Sequence, residues 1–326
     1  MIKIGNIEIK GKVMLAPMAG ITSSGYRKYM SLFGVDICVT EMVSDMGLIY
    51  GNEETKDYIT FEKISCPTGV QLFGHDPESL KKAAEIALNS NPNIDFIDVN
   101  MGCPVPKVTK TGAGSSLLKN PKLCGEIIKA LKEVTNKPIT AKIRLGWDNE
   151  HINYLAVIKE LEEAGVSLIG IHARTAKELY LGKPHYELIR DLRKIMHVPL
   201  AVSGNIYTLE DAINAINITG ADLVMVARGG MGNPFLIKQI KQYYENGEIL
   251  LSPSLDEQID YCLTLADYFI QEKGEKRGMM IYRSIAPKFF MGFPNAKTLR
   301  NRLAQEMVSK NSLINIIDDF KKSQNI

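Results

Sequence analysis

Eight short, nearly continuous apolar runs, separated by segments of helical periodicity, decide what this chain can fold into. They are Val13–Ala16, Ile37–Met42, Thr68–Phe73, Phe96–Val99, Ile139–Arg144, Leu168–His172, Leu200–Ser203 and Leu223–Ala227. Runs this short with so little polar alternation are expected of parallel strands covered on both faces. The intervening segments, among them Pro77–Asn89, Pro121–Val134, Ile152–Ala164, Tyr186–Met196, Leu209–Ile216 and Pro234–Tyr244, carry amphipathic helix patterns. Three of them open on proline, which a first helical turn tolerates. Eight strands alternating with helices predict a closed (β/α)8 barrel, the TIM barrel of the α/β class, rather than an open sheet.

Beyond residue 245 the strand pattern stops. Helices are predicted at Leu255–Gln271, Met279–Met291, Ala296–Val308 and Leu313–Phe320, with turns at glycine and proline between them. The 326 residues therefore divide into a barrel over 1–245 and a small C-terminal all-helical domain over 246–326. The first ten residues alternate about Gly5-Asn6 and predict a short β-hairpin. No apolar run has the length of a signal core or a membrane span, and the five cysteines form no Cys-x-x-Cys pair. A cytoplasmic protein with no metal site, no membrane contact and no obligate protein partner is expected.

Barrels of this kind carry their chemistry on the loops after the strands. Here those ends hold Pro17-Met18-Ala19-Gly20, Glu41, Gln71, Asn100, Lys142 with Arg144, His172 with Arg174, Ser203-Gly204-Asn205 and Ala227-Arg228-Gly229-Gly230. Polar groups at such buried positions are costly unless paired, so their convergence predicts a large polar ligand in the mouth. The last two loops are suited to a phosphate, with glycines admitting backbone N–H groups and Arg228 supplying charge. Gln71 and Lys142 are candidates for the polar edge of a planar heterocycle. After the fourth strand, Asn100-Met101-Gly102-Cys103-Pro104 places a thiol in a turned loop that continues through Lys107 to Gly112-Ala113-Gly114. A thiol with a reference pKa of about 8.5 is mostly protonated at neutral pH and can serve as a proton donor as well as a nucleophile.

These segments, in this order, together with Thr40-Glu41-Met42, Gln71-Leu72-Phe73-Gly74, Ala141-Lys142-Ile143-Arg144, His172-Ala173-Arg174-Thr175 and Gly232-Asn233-Pro234, resemble the tRNA-dihydrouridine synthases, and among them the B-type bacterial branch. The resemblance implies FMN in the barrel mouth, NADPH as electron donor and uridine in tRNA as substrate. It further implies that Pro17, Met18 and Ala19 touch the flavin ring, and that Gln71 and Lys142 bind its polar edge. Ser203, Gly204, Asn205, Ala227 and Arg228 would hold its phosphate. His172 is placed among the cofactor contacts, Asn100, Arg174 and Lys107 among the substrate contacts, and Cys103 as the acid that protonates C5 of the uracil. The chain departs from the usual family pattern at Ser203, at Ala227 and at Thr22-Ser23.

The net charge of +2 conceals a local excess: between residues 271 and 310 nine lysines and arginines stand against three glutamates. Tyr282, Phe289, Phe290 and Phe293 are interleaved with them. Such a stretch can neutralise phosphates and stack bases, or it can be a solvated helix face over an aromatic core. The resemblance favours a tRNA-docking surface that includes Arg300 and Arg302. Two other readings are compatible with these residues: an FMN-dependent dihydropyrimidine or dihydroorotate-type dehydrogenase acting on a free pyrimidine, and a non-catalytic RNA-binding barrel.

Overall fold

The computed structural model describes residues 1–323. Strands β1 (Ile2–Ile4) and β2 (Ile7–Ile9) pair as an antiparallel hairpin. Eight parallel strands follow: β3 (Val13–Leu15), β4 (Ile37–Ser44), β5 (Thr68–Phe73), β6 (Phe96–Met101), β7 (Ile139–Arg144), β8 (Leu168–His172), β9 (Leu200–Ser203) and β10 (Leu223–Val226). Each pairs with the next, and β10 closes on β3 to complete the barrel. The predicted TIM-barrel class is the fold observed.

The hydrophobic core has two parts. Inside the barrel, Met14, Ile37, Val39, Phe96, Leu168, Ala201, Leu223 and Met225 pack together with Ile4 and Ile9 from the hairpin. The alternating pattern of the first ten residues thus delivers one apolar face to the barrel interior. Outside the barrel, a continuous layer joins the strands to their helices and extends into the C-terminal region through Phe269, Tyr282, Phe289 and Phe290.

The helices after the barrel span Leu255–Lys273, Glu275–Tyr282, Lys297–Gln305 and Lys310–Ser323. The first begins in a capping box, with Ser254 and Glu257 each satisfying the other's backbone N–H. Its Gln258 amide donates to the carbonyls of Gly232 at 2.9 Å and Phe289 at 2.8 Å, tying it to the loop after β10. Two predicted helices are broken in the structure. Residues 186–196 form two single turns, Tyr186–Ile189 and Leu192–Ile195, because Asp191 between them has φ +52°. Residues 279–291 divide at Arg283–Ile285, and the second piece, Ala286–Phe290, is a short 3₁₀ turn opened by Pro287, which has no N–H to continue a ladder. No helix among the described residues is long and apolar enough to cross a membrane.

Candidate active site at the barrel mouth

A cavity of about 400 Å³ opens at the C-terminal ends of the barrel strands. Pro17, Met18, Ala19, Gln71, Asn100, Cys103, Lys142, His172, Ser203, Gly204, Asn205, Ala227 and Arg228 all border it. The register explains why. Asn100 lies opposite Lys142, while Arg144, His172 and Ser203 stand side by side at the ends of β7, β8 and β9. Residues two apart on one strand share a face, so Lys142 and Arg144 form two levels of positive charge on one wall.

Behind the wall runs a chain of buried hydrogen bonds. Thr140 donates to Asp98 at 2.5 Å, and the Gln71 amide nitrogen donates to the other Asp98 oxygen at 2.6 Å. The Asn100 amide nitrogen donates to the Gln71 side-chain oxygen at 2.8 Å. The Asn100 oxygen then accepts the backbone N–H groups of Gly102 at 3.2 Å and Cys103 at 2.9 Å. Asp98 is nearly inaccessible, and burial raises its carboxyl pKa against the opposing pull of Thr140, Gln71 and Lys142. With both polar ends of Gln71 engaged, its orientation is fixed, and its second N–H remains for a ligand. Asn100 braces the thiol loop from within the same network.

Cys103 is half-buried on the cavity wall. Burial pushes its thiol pKa up, and the opposing influence of the Val105 backbone, Arg144 and Lys142 is weaker. A thiol in that state keeps its proton at neutral pH. Lys142 is drawn down to about 8, by burial first and by Arg144 second, while Asp98 and Cys103 act in the other direction. His172 is held well below its ordinary value by burial and by four surrounding cations, Lys142, Arg144, Arg174 and Arg228. It is therefore a neutral imidazole, and its Nε2 accepts from Arg174 at 3.1 Å, which leaves the proton on Nδ1.

Arg174 is fully buried. Its guanidinium donates to the carbonyls of Leu181 at 2.9 Å and Gly182 at 2.7 Å and to Asn205 at 3.1 Å. It braces the loop after β8 from behind, so that of the strand-end arginines Arg144 and Arg174 it is Arg144 that borders the cavity. Arg144 donates from Nε to Gly102 at 2.9 Å and from Nη1 to Thr175 and Leu179 at 2.8 Å each. It thereby joins the thiol loop to the loop that presents Tyr180. Tyr180 is half-exposed over the opening, with the Arg144 and Arg228 guanidinium carbons 5.5 Å and 5.0 Å from its ring centre. Tyr180 was not among the residues singled out in the sequence; a lone tyrosine in a glycine-containing loop gives no signal there.

The loops after β9 and β10 meet through bare backbone. A Cβ on Gly229 would lie 1.8 Å from the Ile206 carbonyl oxygen, so only glycine permits that approach. Arg228 reaches Asn205 at 3.4 Å and packs beside Tyr207. Ser203 is buried, its hydroxyl facing the Ile171 carbonyl at 3.5 Å.

Lys107, Arg300 and Arg302 are not on the cavity wall. Lys107 is exposed on the short helix Pro106–Thr109. Arg300 donates to the Phe290 carbonyl at 3.0 Å, and Arg302 pairs with Glu306 at 2.9 Å and Asp319 at 3.0 Å. Tyr282, Phe289 and Phe290, expected as possible stacking groups, are completely buried and form the core under these helices. Between residues 271 and 310, Lys276, Arg277 and Lys297 are the exposed cations.

Fold and site together define a TIM-barrel protein whose mouth sets a polar, cationic wall beside a protonated thiol. A family model for dihydrouridine synthases matches residues 14–325. The chain is 34% identical over 301 residues to a probable tRNA-dihydrouridine synthase of Rickettsia conorii, covering 92% of this chain and 90% of that one. It is 33% identical over 294 residues to tRNA-dihydrouridine synthase B of Pasteurella multocida, covering 90% and 88%. This chain belongs to the dihydrouridine synthase family. Among solved structures, an old yellow enzyme homologue of Zymomonas mobilis shares the fold, with a TM-score of 0.50, 13% identity, and coverage of 79% of this chain and 94% of that one.

Proposed function

We propose that this protein is a cytoplasmic, flavin-dependent tRNA-dihydrouridine synthase, which reduces the C5–C6 double bond of uridine in tRNA with FMN as cofactor and NADPH as electron donor. The observation that carries the reading is a protonated thiol, Cys103, held by Asn100 on the wall of a cavity whose other walls suit a flavin mononucleotide. The fit rests on the donor set. The backbone of Gly204 and Gly229 with Arg228 suits a phosphate dianion, and Gln71 with Lys142 suits the polar edge of a flat ring. Bound there, FMN would supply the hydride that adds to C6 of the uracil.

The protein's own part is orientation, electrostatics and a proton. Lys142, charged at neutral pH, stabilises negative charge at the ring edge. Cys103 Sγ gives its proton to C5, which is general acid catalysis by a group whose raised pKa keeps the acid form available. Neutral His172 contributes a hydrogen-bond donor without adding to the surrounding positive charge. Arg144 and the Tyr180 ring frame the opening through which a uridine swung out of the tRNA would enter, at a cost of roughly a few kcal/mol. Exposed Lys276, Arg277 and Lys297 on the helices of 246–326, proposed as a tRNA-docking domain, supply phosphate contacts.

The visible spectrum of the purified protein tests this reading. Flavin bands that bleach with NADPH under anaerobic conditions and return on adding unmodified tRNA are expected. Return with a free pyrimidine but not with tRNA would assign a dehydrogenase, and no bands after FMN addition would leave only a binding protein.

A further inference from the structure

The loop that follows β3 carries Pro17, Met18 and Ala19 along the cavity wall. Within it, the Thr22 hydroxyl oxygen accepts the Met18 N–H at 2.9 Å, and Met18 O accepts the N–H groups of Ile21 and Thr22 at 3.0 Å each. Three charged side chains anchor this compact turn from outside. Glu41, on β4 where the register shifts between Val39 and Met42, accepts the Gly20 N–H at 2.6 Å. Arg27 donates to the Thr22 carbonyl at 2.6 Å. Glu272 reaches across from the last turn of the helix Leu255–Lys273 and uses a single oxygen to accept both the Ser23 hydroxyl at 2.6 Å and the Gly25 N–H at 2.7 Å.

The third anchor differs from the others because it comes from the C-terminal helices. The Gly25 N–H lies in the first turn of the helix Ser24–Ser31, where backbone donors have no intrahelical acceptor and a carboxylate is favoured by the helix dipole. Gly25 admits the contact: a Cβ there would meet the Glu272 oxygen at 2.8 Å and the Tyr268 carbonyl oxygen at 2.9 Å. The Ser23 hydroxyl is matched to its place, accepting from Tyr26 N–H at 3.4 Å while donating its own proton to Glu272. Lys273 lies 3.3 Å from the second Glu272 oxygen and 3.8 Å from Asp57.

We infer that Glu272 is a positioning residue: through Ser23 and Gly25 the C-terminal helices set the geometry of the cavity loop Pro17–Thr22. This rests on the proposal that the cavity holds FMN. It implies that the helices after the barrel, besides offering a surface to tRNA, hold one wall of the cofactor site in its working shape.

The test is the FMN dissociation constant, read by quenching of flavin fluorescence, with hydrogen exchange of the peptide covering residues 16–25. Glu272→Ala is expected to weaken FMN about tenfold, the order expected from losing charge-assisted hydrogen bonds, and to speed exchange in that peptide above the other barrel peptides. Ser23→Ala, a milder change, is expected to do the same to a smaller extent. Ser23→Asp is expected to weaken FMN by setting two carboxylates together, and Glu272→Gln in the same chain to restore it, because the amide can donate to the aspartate. A wild-type protein that binds no FMN would refute the proposed function. Wild-type binding matched by unchanged affinity and loop exchange in Glu272→Ala, or absence of rescue in the double variant, would refute the role of Glu272 alone.

Discussion

The Asn100 side-chain oxygen accepts the Cys103 backbone N–H at 2.9 Å, so the end of β6 and the position of the thiol are set by one residue. Replacing it with alanine would also orphan the Gly102 N–H and the Gln71 oxygen, costing roughly 1–3 kcal/mol of stability. In the proposed reaction, Asn100→Ala is expected to slow uridine reduction by about 10²-fold through misplacement of the acid. Flavin reduction by NADPH should change little. Single-turnover kinetics of the two half-reactions separate these effects.

Cys103→Ala removes the proposed proton donor and leaves the other cavity walls in place. Flavin content and NADPH oxidation are expected to persist while tRNA reduction falls by about 10²- to 10⁴-fold. Because burial raises the wild-type thiol, the acid form is present at low and neutral pH and is lost only above the ordinary thiol range. The half-reaction in which reduced flavin is reoxidised by uridine should therefore show no decline attributable to this thiol between pH 6 and pH 8, by stopped-flow absorbance.

Lys142 carries its charge at a cost to the empty protein. Its folded-state pKa of about 8 lies below the ordinary lysine value, so the unfolded chain binds more protons between them. Stability of the flavin-free protein should rise with pH from about 8 towards 10 for this reason, and Lys142→Met should flatten that rise. The variant is expected to gain about 1–3 kcal/mol at pH 7 while losing FMN affinity. In the wild type FMN should weaken as pH rises through about 8. Urea melts and flavin titrations across pH check both.

The meeting of the β9 and β10 loops depends on a missing side chain. Gly229→Ala would place a methyl 1.8 Å from the Ile206 oxygen and force the two loops apart. A destabilisation of about 2–4 kcal/mol is expected, with loss of flavin from the purified protein. Retention of stoichiometric flavin would show that these loops do not hold its phosphate.

Docking of RNA should draw on cations that are not already paired within the protein. Lys276→Glu combined with Arg277→Glu is expected to weaken tRNA binding and to reduce the slope of log affinity against log salt by about 1.5–2. Arg300→Glu with Arg302→Glu should have a smaller effect on that slope, since Phe290, Glu306 and Asp319 already engage those side chains. Filter binding across a salt series distinguishes the pairs.

The barrel was legible because each of its strands is buried on both faces, and an unbroken apolar run has few other uses in a chain of this composition. The hairpin was legible for the opposite reason, its strict alternation about Gly5-Asn6. Short helices that bury only a few residues left little trace: Ser24–Ser31 buries Tyr26, Tyr29 and Met30 but also Arg27, which obscures the pattern. At the site, residue spacing could place Arg144 and Arg174 at strand ends but could not say which one borders the cavity. That depends on the turn after His172, where Arg174 folds back to bind the carbonyls of Leu181 and Gly182. The aromatic residues near the C-terminus read equally as core or as stacking surface until their burial was known.

Dihydrouridine in an unmodified tRNA transcript, measured by nucleoside mass spectrometry after anaerobic incubation with the flavin-loaded protein and NADPH, is the most direct test of the proposed activity. Dihydrouridine that forms in the wild type and is lost in Cys103→Ala is the expected result. A transcript left unmodified by a protein whose flavin is nevertheless reduced by NADPH and reoxidised by a free pyrimidine would contradict it.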